Sequence, residues 1–218
     1  MKHPILYRVL EWIGFRPFFS RLYRVELHGV ERIPLEGGAI LTPNHESMID
    51  PWLLGLTTPR PIRFMAKAEL WDIPGVRWVM EKFGTFPVAR GTGDRQAFGR
   101  AEQLLNDGQI LGIFPQGTCL PFQNRRWYRG AAKLALATGA PIVPVCIVGS
   151  ERALRPGKFK IGFPRVVVLV GHPIEVAKAK PTLAAAKDLT LQIETAVEAL
   201  RAPYGPPAHA WFPLERAA

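Results

Sequence analysis

The chain has 218 residues, of which 48% are hydrophobic and 21% charged, a balance that excludes a disordered protein and suits one globular domain. Lys and Arg total 28 against 18 Asp and Glu, and the net charge of +10 favours an anionic partner: nucleic acid, an anionic lipid surface or a phosphorylated small molecule. The two cysteines form neither a CxxC pair nor a zinc-spaced cluster, so we expect a reducing cytoplasm, no disulfide and no metal.

Residues 1–24 form a basic segment rich in aromatic residues. Their spacing predicts amphipathic helices that contact an anionic membrane surface; the alternative is an ordinary helical pair packed on the domain. The segment lacks the apolar core and cleavage site of a secretory signal, and no window reaches the ~18 consecutive apolar residues of a spanning helix. We therefore expect a peripheral protein on the cytoplasmic face of the cell membrane.

Strand-like and helix-like patterns alternate along the rest of the chain. Apolar runs rich in β-branched residues predict buried strands at 38–42, 62–66, 110–114, 142–148 and 166–170. Helical stretches are predicted at 51–57, 72–83, 93–107, 128–138 and 182–201. The alternation predicts a single α/β domain over 25–202, with a mixed, largely parallel sheet flanked by helices and followed by a tail over 203–218.

The stretch NHESMID, residues 44–50, joins a predicted strand to a predicted helix. Asp50 is expected as the helix N-cap, with Pro51 at the first helical position. A loop can fold the Asp50 carboxylate against the His45 ring, place the proton on Nδ1 and leave Nε2 to take a proton from a hydroxyl. The alternative is a capping Asp beside a surface His. We expect His45 to have an ordinary pKa near ~6.5, so activity should fall below that pH as the ring becomes protonated.

Three further blocks follow in the sequence: GTFPVARG at 84–91, GIFPQGT at 112–118 and GAPIVPVCIVG at 139–149. In this order and at these intervals, the four blocks resemble the glycerolipid acyltransferases related to 1-acyl-glycerol-3-phosphate acyltransferase. The resemblance runs from about Val25 to Val170. It implies a glycerolphosphate acyltransferase-like fold in which His45 and Asp50 are the catalytic dyad.

The resemblance also implies where the substrate binds. Arg90 is expected to bind the phosphate of the acceptor, and Lys67 is expected to face the same group. Gly84, the first residue of the same block as Arg90, is implied to be a further substrate-binding residue. Arginine suits this task because its planar fork donates two hydrogen bonds to a phosphate and stays charged near neutral pH. The alternatives are a surface ion pair for Arg90 and plain solvent exposure for Lys67. The third block is implied to supply Gln116, Gly117 and Thr118 as further substrate-binding residues.

The block GIFPQGT, third of the four, overlaps the family pattern F-P-E-G-T-R, which corresponds to residues 114–119 here. The chain departs from that pattern at Gln116 and Cys119. Gln116 keeps a carbonyl acceptor without the charge, so we still expect it to hold a hydroxyl of the acceptor. Cys119 cannot bind phosphate as arginine does. That task then falls to arginines elsewhere: Arg90, Arg125, Arg126 and Arg129. Cys119 is also a candidate nucleophile, with His45 as its base and a covalent acyl enzyme as the intermediate.

These residues predict an O-acyltransferase that moves a fatty acyl group from acyl-CoA or acyl carrier protein to the free hydroxyl of 1-acyl-glycerol-3-phosphate, in phospholipid synthesis. The reaction needs no cofactor beyond the donor, and backbone N–H groups near 116–118 are expected to steady the oxyanion. The alternatives are acylation of another lysolipid, aminolipid or glycolipid, an acyl-CoA thioesterase, and a binding protein without catalysis. No stacking motif, helix-turn-helix or zinc finger supports nucleic acid, so we expect no such partner.

Overall fold

One sheet organises the chain in the computed structural model, which describes residues 15–82, 84–89, 94–119, 126–154 and 161–206. Within those residues the sheet has seven strands in the order β1-β7-β6-β2-β5-β3-β4. The strands are β1 (Glu26–His28), β2 (Ala39–Pro43), β3 (Ile62–Lys67), β4 (Phe86–Val88), β5 (Ile110–Gly112), β6 (Ile142–Val148) and β7 (Val167–Val170). Neighbouring strands are parallel except β6 and β7, so the predicted mixed, largely parallel sheet is confirmed.

Helices cover both faces of this sheet. They are α1 (Phe15–Leu22), α2 (Asp50–Gly55), α3 (Val76–Lys82), α4 (Arg95–Asn106), α5 (Gly130–Thr138) and α6 (Leu183–Arg201). Successive side chains of a strand point to opposite faces, and in β2 Ile40 joins one buried cluster while Leu41 joins the other. The first cluster packs beneath α4, α5 and α6, and the second beneath α1 and α2.

The sequence located five of the seven strands and missed the two short edge strands. β1 and β4 have three residues each, too few for a recognisable alternation, and β4 contains Pro87. The five predicted helices are all present, but α3 begins four residues later than the pattern suggested. Residues Ala68–Asp72 instead form a short 3-10 helix, and a turn with Gly75 at φ 80° separates it from α3.

The described end of the N-terminal segment packs on the domain. Tyr23 is 4% exposed within the cluster beneath α1, and the Arg16 guanidinium donates to the Leu56 carbonyl oxygen at 2.6 Å. Phe18, on the outer side, is 64% exposed. The rest of the predicted amphipathic segment, residues 1–14, lies outside the described residues. Within the described part of the chain, none of the helices has the length and apolar character needed to cross a bilayer.

The parallel strands direct the loops of interest to one edge of the sheet. The carboxyl ends of β2, β3, β5 and β6 share that edge because these strands run in the same direction. His45 follows β2 by two residues, Lys67 is the last residue of β3, and Gln116 follows β5. Ligands of open α/β sheets bind outside the carboxyl ends of the strands, so this edge is where a site is expected.

Candidate active site

His45 and Asp50 meet within the loop after β2. Nδ1 of His45 lies 2.9 Å from Oδ2 of Asp50, a side chain that is fully buried. The same oxygen accepts the backbone N–H groups of Glu46 and Ser47, each at 2.7 Å. Because an ionised carboxylate only accepts hydrogen bonds, Nδ1 carries the proton and the lone pair of Nε2 is available as a base.

The prediction that Asp50 caps the following helix was wrong. Ile49 is the N-cap of α2, without a capping side-chain bond, and Asp50 and Pro51 are the first two helical residues. The carboxylate of Asp50 turns back towards the loop because the imidazole and two backbone N–H groups converge on one of its oxygens. Its other oxygen, Oδ1, is buried and forms no hydrogen bond within the described residues.

Three contacts fix this loop to the strands around it. The Asn44 amide donates to the Ile147 carbonyl at 2.9 Å and accepts the Ile147 N–H at 2.7 Å, which extends the pairing of β2 with β6 by a side chain. The Ser47 hydroxyl donates to the Leu154 carbonyl at 2.8 Å. These bonds hold the loop on one side, and a contact with the loop after β5 holds it on the other.

That further contact comes from Gln116. Its Oε1 accepts the backbone N–H of His45 at 2.6 Å, and the side chain is buried. The carbonyl that was expected to hold an acceptor hydroxyl therefore positions the loop, which leaves the NH2 group for any contact with the acceptor. Gly117, at φ 69°, forms the turn after β5, and its N–H donates to the Phe114 carbonyl at 3.0 Å, so this N–H is not available to an oxyanion. Gly117 and Thr118 line the cavity described next.

A large apolar cavity opens beside the dyad. Its volume is 1370 Å³, above the range of about 300–1,000 Å³ that is usual for small-ligand sites. His45 and Cys119 lie on its wall, and the His45 ring packs against Phe114 with centroids 4.2 Å apart. Most of the remaining wall is apolar: Trp52, Leu56, Phe64, Met65, Leu70, Met80, Val88, Ile113, Trp127 and Leu134. A fatty chain would find apolar contact there next to a base.

The imidazole of His45 is a stronger base than its sequence suggested. Burial lowers its pKa, but the hydrogen bond that the ring donates to Asp50, the side-chain hydrogen bond with Cys119 and the negative charge of Asp50 outweigh burial and raise the pKa to about 9. The expectation of an ordinary pKa was therefore wrong. Cys119 shares the cavity wall with His45.

The remaining predicted residues occupy different surroundings. Lys67 lines the cavity with its side chain 48% exposed, and its Nζ lies 3.0 Å from a carboxylate oxygen of Glu69. Gly84 has φ 70°, and a Cβ there would collide with the guanidinium of Arg63, so backbone conformation and packing explain this glycine. Arg90 lies outside the described residues, and its contact with the acceptor phosphate stays a prediction.

Within the described residues, no three His, Cys, Asp or Glu side chains come together as metal ligands would.

The sequence reasoning missed a buried ion pair that adjoins the dyad. Glu46 follows His45, is 4% exposed, and has Oε1 4.0 Å from a guanidinium nitrogen of Arg201, which is 5% exposed. Arg201 is the last residue of α6, and its guanidinium also donates to the Ile147 and Gly205 carbonyls. Nothing in the sequence relates two residues so far apart, whereas Asn44 and Ser47 stand inside the same motif as His45.

Known proteins resemble this chain in sequence. The sequence pattern of the family described as Acyltransferase matches residues 24–148. A 1-acyl-sn-glycerol-3-phosphate acyltransferase of Bacillus subtilis is 29% identical over 157 residues, 70% of this chain and 75% of the relative. A lyso-ornithine lipid O-acyltransferase of Pseudomonas aeruginosa is 32% identical over 147 residues, 66% of this chain and 55% of the relative. The chain spans about half the length of several curated relatives.

A solved structure shares the fold. The crystal structure of the 1-acyl-sn-glycerophosphate (LPA) acyltransferase PlsC from Thermotoga maritima superposes with a TM-score of 0.72 and 25% sequence identity. The superposition covers 92% of this chain and 81% of that one. The predicted α/β architecture is therefore confirmed by a solved relative as well as by the strand order.

We expect His45 to titrate near pH 9, where the pKa of about 9 places it, when its ring proton is followed by NMR. Asp50→Asn removes the charge that favours the imidazolium, so the midpoint should fall. A raised pKa stabilises the folded state fully below the unfolded pKa of ~6.5, and this contribution is lost as pH rises through the folded pKa. The stability deficit of Asp50→Asn should therefore be larger at about pH 6 than above pH 9. A wild-type midpoint near ~6.5 would contradict the geometry.

Arg201→Met should destabilise the protein by roughly 3–5 kcal/mol, because it removes a cation from beside the buried carboxylate of Glu46. Adding Glu46→Gln to that variant should recover part of the loss. Urea unfolding measures both, and Arg152→Met, at an exposed arginine, serves as the control with an expected change within about 0.5 kcal/mol. Equal losses in the single and double variants would show that the loss does not come from a Glu46 carboxylate left without its cation.

Proposed function

The chain belongs to the acyltransferase family, and from that premise we propose that it transfers a fatty acyl group from a thioester donor to the free hydroxyl of 1-acyl-glycerol-3-phosphate, giving phosphatidic acid. The observation that carries the proposal is the bond of 2.9 Å between the His45 ring and the buried Asp50, on the wall of a large apolar cavity. The acceptor named for the Bacillus subtilis and Thermotoga maritima relatives supports it.

In the proposed reaction, Nε2 of His45 takes the proton of the glycerol hydroxyl as that oxygen attacks the thioester carbonyl. A C–O bond forms, the C–S bond breaks, and the proton passes from the imidazolium to the departing thiolate. Asp50 holds the Nδ1 proton and stabilises the positive charge that develops on the ring. A base with a pKa of about 9 is strong but largely protonated at neutral pH, so turnover should rise with pH up to that value.

The donor is proposed to be acyl-CoA or acyl carrier protein, and the transfer is proposed to be direct. The hydrogen bond between Cys119 and His45 favours a specific rival, in which the thiol is acylated first and the acyl group then passes to the acceptor. Cys119→Ser separates the two routes. Direct transfer survives the substitution, whereas a covalent route loses most of its rate and its burst of donor cleavage.

A second class of acceptor is supported by two observations. Cys119 supplies no cation at the position where the family pattern F-P-E-G-T-R has arginine. A relative 32% identical is named a lyso-ornithine lipid O-acyltransferase. A lysolipid with an amino-acid headgroup is therefore the alternative acceptor. Its reaction would use the same base, the same donor and the same apolar cavity.

We expect His45→Gln to lower turnover by about 10²–10⁴-fold, because the variant has no general base at Nε2. The variant should still unfold cooperatively in urea, at a lower midpoint than the wild type, because Asp50 loses its interaction with the imidazolium. The assay mixes labelled palmitoyl-CoA with lysophosphatidic acid, lysophosphatidylcholine and lyso-ornithine lipid and separates the products. His172→Gln, at an exposed histidine away from the cavity, is the matched control and should keep full activity.

Each outcome of that assay has a distinct meaning. Full activity in His45→Gln refutes the dyad. Acylation of lyso-ornithine lipid but not of lysophosphatidic acid replaces the proposed acceptor with the alternative. Release of free palmitate that is independent of every added lysolipid identifies a thioesterase, with water in place of the acceptor hydroxyl.

We also propose that the protein is peripheral on the cytoplasmic face of the cell membrane, with the cavity mouth towards the lipid. Met48 and Leu191 line the cavity and are 55% and 61% exposed, and Phe18 on α1 is 64% exposed. Apolar side chains at a cavity mouth lose contact with water when they enter a lipid interface, and the net charge of +10 adds attraction to anionic headgroups.

We expect the protein to sediment with vesicles that contain phosphatidylglycerol, and more weakly with vesicles of phosphatidylcholine alone. Phe18→Ser should weaken sedimentation several-fold, because an apolar contact with the interface is lost. Leu35→Ser is the matched control, since Leu35 is 78% exposed but lies away from the cavity. Equal binding of both variants, or no preference for anionic vesicles, would contradict the proposed surface.

A further inference from the structure

Three cations line the cavity wall where α5 begins. Arg126 is exposed, while Arg129 and Lys133 are half-buried. Arg129 and Lys133 are four residues apart, with the Lys133 N–H bonded to the Arg129 carbonyl, so that their side chains leave the same side of the helix. We call Arg126, Arg129 and Lys133 the α5 cation cluster.

The other cations of the cavity have protein partners or stand elsewhere. Six Lys and Arg side chains among the described residues line it, the cluster and three more. Arg16 donates to two carbonyl groups of the chain, and Lys67 pairs with Glu69. Lys187 is exposed on α6. Within the described residues, no carboxylate lies within ion-pair distance of the α5 cation cluster.

Carboxylates of the same cavity do not neutralise the cluster. Asp94 caps α4 and accepts the N–H groups of Ala89 and Ala97, so its oxygens are directed into its own turn. Glu194 lies on α6 and also lines the cavity, but among the described residues it does not come within ion-pair distance of Lys133. Cations that line one cavity at i, i+3 and i+7 spacing, without a carboxylate within ion-pair distance, offer a bound anion several donors from one side.

We propose that the α5 cation cluster is a phosphate site, which binds the phosphate group of a substrate while the attached apolar chain occupies the cavity. Two guanidinium groups offer flat pairs of N–H donors that match phosphate oxygens, and Lys133 adds a point charge. The inference rests on the proposed function, because the cavity holds the dyad. It assigns the anion contact to residues beyond the third sequence block, whose last position here is Cys119.

Two substrates carry the required chemistry. The acceptor has a phosphate on its glycerol, and an acyl-CoA donor has phosphates on the arm that leads to its acyl chain. Steady-state kinetics distinguishes them, because loss of a charged hydrogen bond to one substrate raises the KM of that substrate by about ten- to a hundredfold. A rise in the KM for lysophosphatidic acid assigns the site to the acceptor, and a rise for palmitoyl-CoA assigns it to the donor.

The test uses three variants that each remove one charge: Arg126→Gln, Arg129→Gln and Lys133→Gln. A fourth variant, Arg129→Lys, keeps the positive charge but loses the paired N–H donors of the guanidinium group. Arg126 is exposed, so its variant should fold even if a change at the half-buried Arg129 does not. Lys180→Gln is the matched control, an exposed cation outside the cavity, and should leave both KM values unchanged. Unchanged KM values for both substrates in all three Gln variants would overturn the site.

A binding measurement separates this site from the proposed reaction. Calorimetric titration of the wild type with CoA and with glycerol 3-phosphate should show binding of at least one of them, weakened at least tenfold in Arg126→Gln. Binding by a wild type that transfers no acyl group would leave the phosphate site standing and the proposed reaction refuted. Acyl transfer by a wild type whose binding and KM values are insensitive to all three changes would refute the site alone.

Discussion

The buried carboxylate of Asp50 is the constraint on which the site depends. A charge removed from water is costly unless hydrogen bonds surround it, and here the imidazole and two backbone N–H groups donate to one of its oxygens. All three donors come from the five residues before Asp50. The loop after β2 must therefore keep one shape, and that shape both places the proton on Nδ1 and turns Nε2 of His45 towards the cavity.

Neighbouring elements keep the loop in this shape. Asn44 and Ser47 attach it to Ile147 and to the segment after β6, and Gln116 attaches it from the loop after β5. Buried Glu46 connects it to the end of α6 through Arg201. The central position of β2, between β5 and β6, makes these contacts possible, because both neighbouring strands end at the same edge. The base is thus positioned by two loops and a distant helix.

The cavity beside the base has both apolar and cationic residues on its wall. The apolar part suits a fatty chain, and the α5 cation cluster suits a phosphate group, so one cavity can hold both portions of a lipid substrate. Cys119 lines the same cavity, and its interaction with His45 contributes to the raised pKa of about 9.

The sequence by itself determined the elements that depend on neighbouring residues: five strands, five helices, the order of the motifs, and His45 with Asp50 as a pair in one connection. The spacing of hydrophobic residues and the short motifs indicate these features, because each depends on residues that are close together in the sequence. The tertiary structure decided the rest: the three-residue edge strands, the backward turn of Asp50, the use of Gln116 as a positioning residue and the buried Glu46–Arg201 pair. These arise from contacts between residues far apart in the chain, and the raised pKa of His45 follows from burial and from Asp50 and Cys119 together, which no local pattern reports.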